Sequence, residues 1–298
     1  MKHPLGGIIP PLTTPFDQNE NFLPEKLKRN IRQLSRYDLS GFLVLGTNGE
    51  SVMLDQKEKL AVIHAAREAI EPGKLMFAGT GCESVRETIV VTREAARAGA
   101  DAAVVLNPFY FKAQLDHQAL KKHFWTVADA STIPVIIYNM PQNTGLDMTA
   151  ETILEIAGHP NIIGLKDSGG NLEKTDAIIR QAKPGFRTLA GSAGFLLPAL
   201  KLGAAGGVLA LANIAPKLCL KILQLYTEGN LEEAEILQKQ IIALNAAVTR
   251  QWGVPALKEA MDHLGLYGGP ARLPLMKATP QIKENLMQLL KENNVQPV

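Results

Sequence analysis

Asn161-Ile162-Ile163-Gly164-Leu165-Lys166-Asp167-Ser168-Gly169-Gly170 is a short apolar run that ends in a lysine and breaks into polar and glycine residues. A continuous apolar run, rather than an alternating one, fits a parallel strand buried on both faces. Its end carries an amine where water is scarce, and desolvation disfavours the charged form of a lysine so placed. A neutral amine condenses with a ketone, whereas an ammonium ion does not. The bland alternative is a lysine whose head extends past its apolar stem to the surface. The rest of the chain decides between the two.

Runs of the same kind recur from the start of the chain to about residue 215. They are Ile8–Pro10, Phe42–Leu45, Met76–Ala78, Ala102–Leu106, Val135–Tyr138, Ile162–Leu165, Thr188–Ala190 and Gly207–Ala210. Between them lie helical patterns over Pro24–Tyr37, Gln56–Ile70, Val85–Ala98, Leu115–Ala130, Ala150–Ala157, Leu172–Ala182 and Ala193–Leu202. Strands alternating with amphipathic helices describe a βα repeat, and eight units predict a closed (β/α)8 TIM barrel over residues 1–215. An open doubly wound sheet is the rival, but no G-x-G-x-x-G follows the first run. Beyond residue 215 the runs stop. Lys217–Tyr226, Leu231–Arg250, Pro255–Leu264 and Pro280–Glu292 read as helices, with Thr279-Pro280 as a cap and first turn. Residues 216–298 are therefore expected to form a C-terminal helical extension packed on the barrel, with no Ser/Gly-rich linker before it.

Composition narrows the function. The 298 residues are 46% hydrophobic and 20% charged, with net charge +2 and 5% aromatic residues. There is no basic stripe, so neither nucleic acid nor an anionic membrane is implied as a partner. Two cysteines, Cys82 and Cys219, give no disulfide framework and suggest a reducing compartment. Each reads as a small buried apolar residue. Met1–Gly7 lacks the apolar core of a signal peptide, and no stretch has the length of a membrane span, so the expected location is cytoplasmic. The six histidines, His3, His64, His117, His123, His159 and His263, sit at no strand end and form no cluster with cysteine. No metal site is expected.

In a parallel barrel the chemistry gathers at the C-terminal ends of the strands. Read in order, those ends are Thr13-Thr14, Gly46-Thr47-Asn48-Gly49-Glu50, Asn107-Pro108-Phe109-Tyr110, Tyr138-Asn139, Lys166-Asp167-Ser168 and Gly191-Ser192. Each hydroxyl alone could cap the next helix. Together they form a polar ring around one lysine. The glycines flanking Thr47-Asn48 let an anion approach backbone N–H groups closely. Tyr138 ends the run before the lysine run, so its phenol could project into the same mouth or be satisfied on backbone.

These residues resemble the dihydrodipicolinate synthase/N-acetylneuraminate lyase family of pyruvate-dependent class I aldolases, over almost the whole chain. The most specific pieces are Gly46-Thr47-Asn48-Gly49-Glu50, Tyr138-Asn139-Met140-Pro141 and Gly164-Leu165-Lys166-Asp167. The resemblance implies a Schiff base between Lys166 and pyruvate, and proton relay by Tyr138. It implies a supporting hydroxyl at Thr47 and a Tyr110 that reaches the neighbouring subunit's site. No metal or organic cofactor is implied, because the iminium is the electron sink. A homotetramer built as a dimer of dimers is implied as well.

Departures from the pattern refine the expectation. Synthases that condense pyruvate with aspartate semialdehyde usually carry an arginine in the loop after the tyrosine, where this chain has Asn143. Asn48, Lys166-Asp167-Ser168-Gly169-Gly170, Leu189–Phe195, Asn245–Arg250 and Tyr267-Gly268-Gly269-Pro270 look instead like 4-hydroxy-2-oxoglutarate aldolase. The expected reaction is cleavage of 4-hydroxy-2-oxoglutarate, or a similar 2-oxo-4-hydroxy acid, to pyruvate and an aldehyde such as glyoxylate. Amides at Thr47 and Asn48 would hold the pyruvate carboxylate. Asn48 and Ser168 would meet the distal part, with Asn143 and Gly191 completing the substrate wall. Dihydrodipicolinate synthesis is the enzymatic alternative, and a non-catalytic pyruvate-binding barrel is the alternative of another class.

Overall fold

Eight parallel strands surround the centre of the computed structural model, which describes residues 5–298. Met1–Pro4, with His3 and part of the segment read for a leader, lie outside the described residues. The strands are β1 (Gly7–Ile9), β2 (Gly41–Val44), β3 (Leu75–Gly79), β4 (Ala102–Leu106), β5 (Val135–Asn139), β6 (Ile162–Asp167), β7 (Arg187–Ala190) and β8 (Gly206–Val208). The ladder runs β1-β8-β7-β6-β5-β4-β3-β2, all parallel. The two ends meet just beyond β1, where Leu43 N–H donates to the Pro10 carbonyl at 3.0 Å and Leu12 N–H to the Leu43 carbonyl at 2.8 Å. Pro10 and Pro11 have no N–H to give, so this seam is a single bridge rather than a full ladder. The result is a closed (β/α)8 barrel.

Around it lie α1 (Pro24–Leu34), α2 (Gln56–Ala69), α3 (Val85–Arg97), α4 (His117–Ala130), a short α5 (Pro141–Thr144), α6 (Ala150–Ala157), α7 (Leu172–Gln181) and α8 (Leu196–Lys201). Caps explain most starts. Asp55 and Glu58 form a reciprocal capping box on α2, and Ser84, Asp116, Thr149 and Asn171 accept from the first turns of α3, α4, α6 and α7. The helix expected over Ala193–Leu202 opens instead as a 3₁₀ turn, and α8 starts at Leu196. Pro198 is tolerated only in a first turn, which fixes that late start. The last strand also ends earlier than read, because Ala210–Asn213 coil into a 3₁₀ turn.

After β8 come α9 (Pro216–Thr227), α10 (Leu231–Ala246), α11 (Gly253–His263) and α12 (Pro280–Glu292). The helix expected over Leu231–Arg250 leaves α geometry at Ala247, and residues 247–251 form a π turn. There Thr249 Oγ1 donates to the Asn245 carbonyl at 2.6 Å, competing with the regular helical bond. Among the described residues no helix is long and apolar enough to cross a membrane.

A buried ion pair fastens this extension to the barrel. Lys258 on α11 and Glu50, four residues past β2's Gly46 turn, have side chains 1% and 0% exposed and approach to 2.5 Å. Lys258 also donates to the Thr14 and Pro270 carbonyls, both at 2.8 Å, and lies over the Phe16 ring. Burial pushes its ammonium below the ordinary range, while the Glu50 charge pulls it back up. Glu50 Oε2 accepts the Arg272 N–H at 2.7 Å, and the Arg272 guanidinium grips Glu58 and also packs against the Phe16 ring. Glu50→Gln should destabilise the protein by about 3–5 kcal/mol, because it strands a buried charge. The fall in urea midpoint at constant slope measures it, and Glu50→Gln combined with Lys258→Met should recover part of the loss. A single variant within about 0.5 kcal/mol of the parent would show the pair to be incidental.

Candidate active site

β5 and β6 pair so that Tyr138 stands beside Lys166 and Asn139 beside Asp167. That register depends on a bulge. Val135 is opposite Ile162, yet Ile136 is opposite Gly164, so Ile163 is an extra residue on β6. Lys166 and Tyr138 are both buried, at 3% and 4% exposure. The Lys166 Nζ lies 3.8 Å from the centre of the Tyr138 ring. The Tyr138 hydroxyl is 3.0 Å from Thr47 Oγ1. Thr47 opens a 3₁₀ turn, Thr47–Gly49, which ends at Glu50 in the left-handed region.

These groups face a cavity of about 900 Å³ at the C-terminal ends of the strands. Thr47, Asn48, Tyr138, Asn143, Lys166, Ser168 and Gly191 all line it. Asn143 is carried by α5, whose turn ends at Gly145 with φ 65°. At Gly191 a Cβ would sit 2.1 Å from Ser168 Oγ and 2.7 Å from the Asp167 carbonyl, so any side chain there would displace the loop after Lys166. Behind the lysine, Asn139 Nδ2 donates to Asp167 Oδ1 at 2.7 Å and Asp147 Oδ1 at 2.8 Å. Asn139 Oδ1 accepts the Met148 N–H, and Lys174 pairs with Asp147. This mesh, buried at Asn139, Asp167 and Lys174 and open to solvent at Asp147, fixes the ends of β5 and β6 from behind, where none of the four side chains lines the cavity.

Other expected members of the ring lie elsewhere. Thr14 Oγ1 donates to the Gly49 carbonyl at 2.6 Å, Thr13 reaches the Met261 sulfur, and Asn107 closes on the Pro108 carbonyl. All three are buried scaffold groups, and the Thr14 bond holds the Thr47 turn. Tyr110 is 75% exposed and outside the cavity, with its N–H held by Glu83 at 2.9 Å. The outer wall was not placed at the site from sequence, although Asn245–Arg250 was among the segments that resemble the aldolase branch. Asn245, Thr249, Arg250, Trp252 and Met276 reach the cavity from the C-terminal extension. Nothing in a 3.6-residue period marks them: Thr249 and Arg250 stand on the π turn, Asn245 near the end of α10 and Met276 in the segment before α12. Asn245 Nδ2 also donates to Ser192 Oγ at 3.0 Å, tying the extension to the loop after β7.

Burial pushes the Cys219 thiol up to about 12 and Cys82 up to about 11. Cys219 is the buried apolar residue expected, whereas Cys82 is only part-buried and its thiol donates to the Thr80 carbonyl at 3.6 Å. Burial lowers His123 to about 4. Among the described residues no three His, Cys, Asp or Glu converge as metal ligands.

The model of the dihydrodipicolinate synthetase family matches residues 4–293. The chain belongs to that family. It is 37% identical to a protein of Emericella nidulans named "probable 4-hydroxy-2-oxoglutarate aldolase, mitochondrial", over 96% of this chain and 94% of the relative. It is 32% identical to a 4-hydroxy-tetrahydrodipicolinate synthase of Methanothrix thermoacetophila, over 95% of each. Among solved structures, a prophage protein of the dihydrodipicolinic acid synthase family from E. coli K12, in complex with pyruvate, superposes with TM-score 0.92 at 29% identity. That match covers 98% of this chain and 99% of the other. Members of the dihydrodipicolinate synthetase family are class I aldolases that use a lysine Schiff base and no cofactor, and this chain is an enzyme of the aldolase type.

Tyr138→Phe keeps the ring and removes the hydroxyl beside Thr47. Turnover should fall about 10²–10⁴-fold with circular dichroism unchanged. Activity within a factor of a few of the parent would reduce Tyr138 to a packing residue.

Proposed function

We propose that the chain cleaves 4-hydroxy-2-oxoglutarate, or a close 2-oxo-4-hydroxy acid, to pyruvate and an aldehyde such as glyoxylate. The observation that carries the Schiff-base part is the contact of the buried Lys166 amine with Tyr138, whose hydroxyl meets Thr47. The choice of substrate is supported by Asn143, a neutral amide on the cavity wall, and by the aldolase relative.

The Lys166 amine adds to the C2 carbonyl. Tyr138 gives its proton to the departing carbinolamine hydroxyl, which leaves as water, and an iminium remains. The Tyr138 oxygen then takes the proton of the C4 hydroxyl. The C3–C4 electron pair moves into the iminium, the aldehyde leaves, and an enamine is formed. Tyr138 returns the proton to C3, and water hydrolyses the second iminium to pyruvate and the free amine. Thr47 holds the phenol in line through the 3.0 Å contact. Backbone N–H groups at Thr47 and Asn48 bind the C1 carboxylate, while Asn48 and Ser168 meet the C4 end.

The proposal extends to assembly and location. Tyr110 and Phe111 are 75% and 67% exposed, an aromatic pair suited to burial under a second subunit. This supports a dimer in which Tyr110 reaches the partner's site, and a tetramer of two such dimers. Two free cysteines support a reducing, cytoplasmic setting; the Emericella relative is named as mitochondrial.

Pyruvate with borohydride should add one covalent mass to the peptide containing Lys166, and Lys166→Arg should abolish labelling and turnover. Labelling that maps to another lysine would remove the mechanism. For the substrate, an arginine in the loop after Tyr138 would give the carboxylate of aspartate semialdehyde a charge-assisted bond of roughly 1.5–3 kcal/mol, and Asn143 in that loop does not. Condensation with aspartate semialdehyde should therefore run at least about tenfold below cleavage in kcat/KM. Asn143→Arg should shift that ratio toward condensation. A parent protein that prefers aspartate semialdehyde would establish the synthase alternative.

A further inference from the structure

The cavity is lined by only two cationic side chains among the described residues, Lys166 and Arg250. Lys166 is consumed as the nucleophile, so it cannot also serve as a fixed counter-charge. The one carboxylate on the wall, Glu50, is already neutralised by Lys258. Arg250 is different. Among the described residues the exposed Arg250 makes neither an ion pair nor a hydrogen bond, so its guanidinium is free to meet a ligand in the cavity it lines. It stands on the π turn of residues 247–251, a rare helical form that concentrates at functional sites. Beside it on the wall are Thr249 and Trp252, a hydroxyl and an amphipathic ring.

We propose that Arg250 holds the distal carboxylate of the substrate, making the enzyme selective for 2-oxo acids with a second anionic end. This inference rests on the Schiff-base reading above. A guanidinium presents a planar fork of N–H donors that matches a carboxylate, and its charge does not titrate away near neutral pH. The barrel floor supplies the amine and the phenol, which treat every 2-oxo acid alike. The C-terminal extension supplies the group that distinguishes a dicarboxylate from a neutral-ended acid. Asn143, a neutral amide, leaves the distal charge to be met from the C-terminal extension.

The test uses two non-cleavable probes, 2-oxoglutarate and 2-oxopentanoate, which share carbon count and differ in the distal carboxylate. Each is trapped on Lys166 with borohydride, and the concentration for half-maximal labelling is read by mass. In Arg250→Gln, the preference for 2-oxoglutarate over 2-oxopentanoate should fall about 10- to 100-fold. Arg250→Lys should retain part of the preference, because it keeps the charge and loses the fork. If pyruvate labels Lys166 but the ratio is unchanged in Arg250→Gln, the assignment of Arg250 is wrong and the Schiff-base reading stands. If pyruvate does not label Lys166 in the parent, both fall together.

Discussion

One extra residue in β6 decides what stands beside Lys166. In a parallel ladder, neighbouring strands lie about 4.8 Å apart, and side chains alternate between faces along each strand. With regular pairing from Val135 and Ile162, Tyr138 would oppose Leu165. The bulge at Ile163 moves the register by one, so that Tyr138 opposes Lys166 and Asn139 opposes Asp167. A slip of one residue is the smallest error a strand can make, and it also exchanges the two faces. Here it aligns amine and phenol on one face and sends Asn139 and Asp167 to the other, where they join Asp147 and Lys174. Gly164, the first residue after the bulge, passes so close to β7 that a Cβ would lie 2.5 Å from the Arg187 carbonyl. The bulge is thus held by the strand on its other side.

The second requirement is that Thr47 stay within reach of Tyr138. Its turn has only three residues and no side-chain cap. Thr14 holds the turn's last carbonyl, and Glu50 anchors its end to Lys258 and to the Arg272 N–H. Taking a carboxylate and an ammonium out of water costs several kcal/mol each, and the Coulomb gain offsets this only with tight geometry and further hydrogen bonds. Lys258 meets that condition with two backbone carbonyls, and Glu50 with a backbone N–H. The extension is therefore more than a cover on the barrel. It fixes one end of the loop that carries Thr47 and Asn48.

The barrel was legible because its signals are local. Apolar runs, capping residues such as Asp55 and Ser84, and the alternation of strand and helix each act within a few residues. Lys166 and Tyr138 were legible for the same reason, as the last residues of such runs. Thr13, Thr14 and Asn107 were read into the polar ring because a polar side chain after a strand looks the same in sequence whether it faces a cavity or a neighbouring group of the scaffold. Distinguishing the two requires knowing that Met261 and Gly49 come within reach. Arg250 and Trp252 escaped because their direction is set by a π turn, which has no periodic signature. Lys258 escaped because a lone lysine in an apolar helical face usually extends to water, and only Glu50, far away in sequence, keeps it inside.

This division between floor and wall has a consequence for how such an enzyme can change substrate. The amine, the phenol and their register lie on strands whose backbone bonds are shared with both neighbours, so a change there disturbs the barrel as well as the chemistry. Asn143 sits on a four-residue helical turn and Arg250 on a π turn, both outside the ladder. Substituting either alters the charge on the cavity wall without changing the strand that carries Lys166. Selectivity among 2-oxo acids is a difference of a few kcal/mol, which one charge-assisted contact can supply or remove. On the proposed reading, relatives named as aldolase and as synthase share one barrel, because the residues assigned to the carbon–carbon chemistry lie on its strands and those assigned to the far end of the substrate lie outside them.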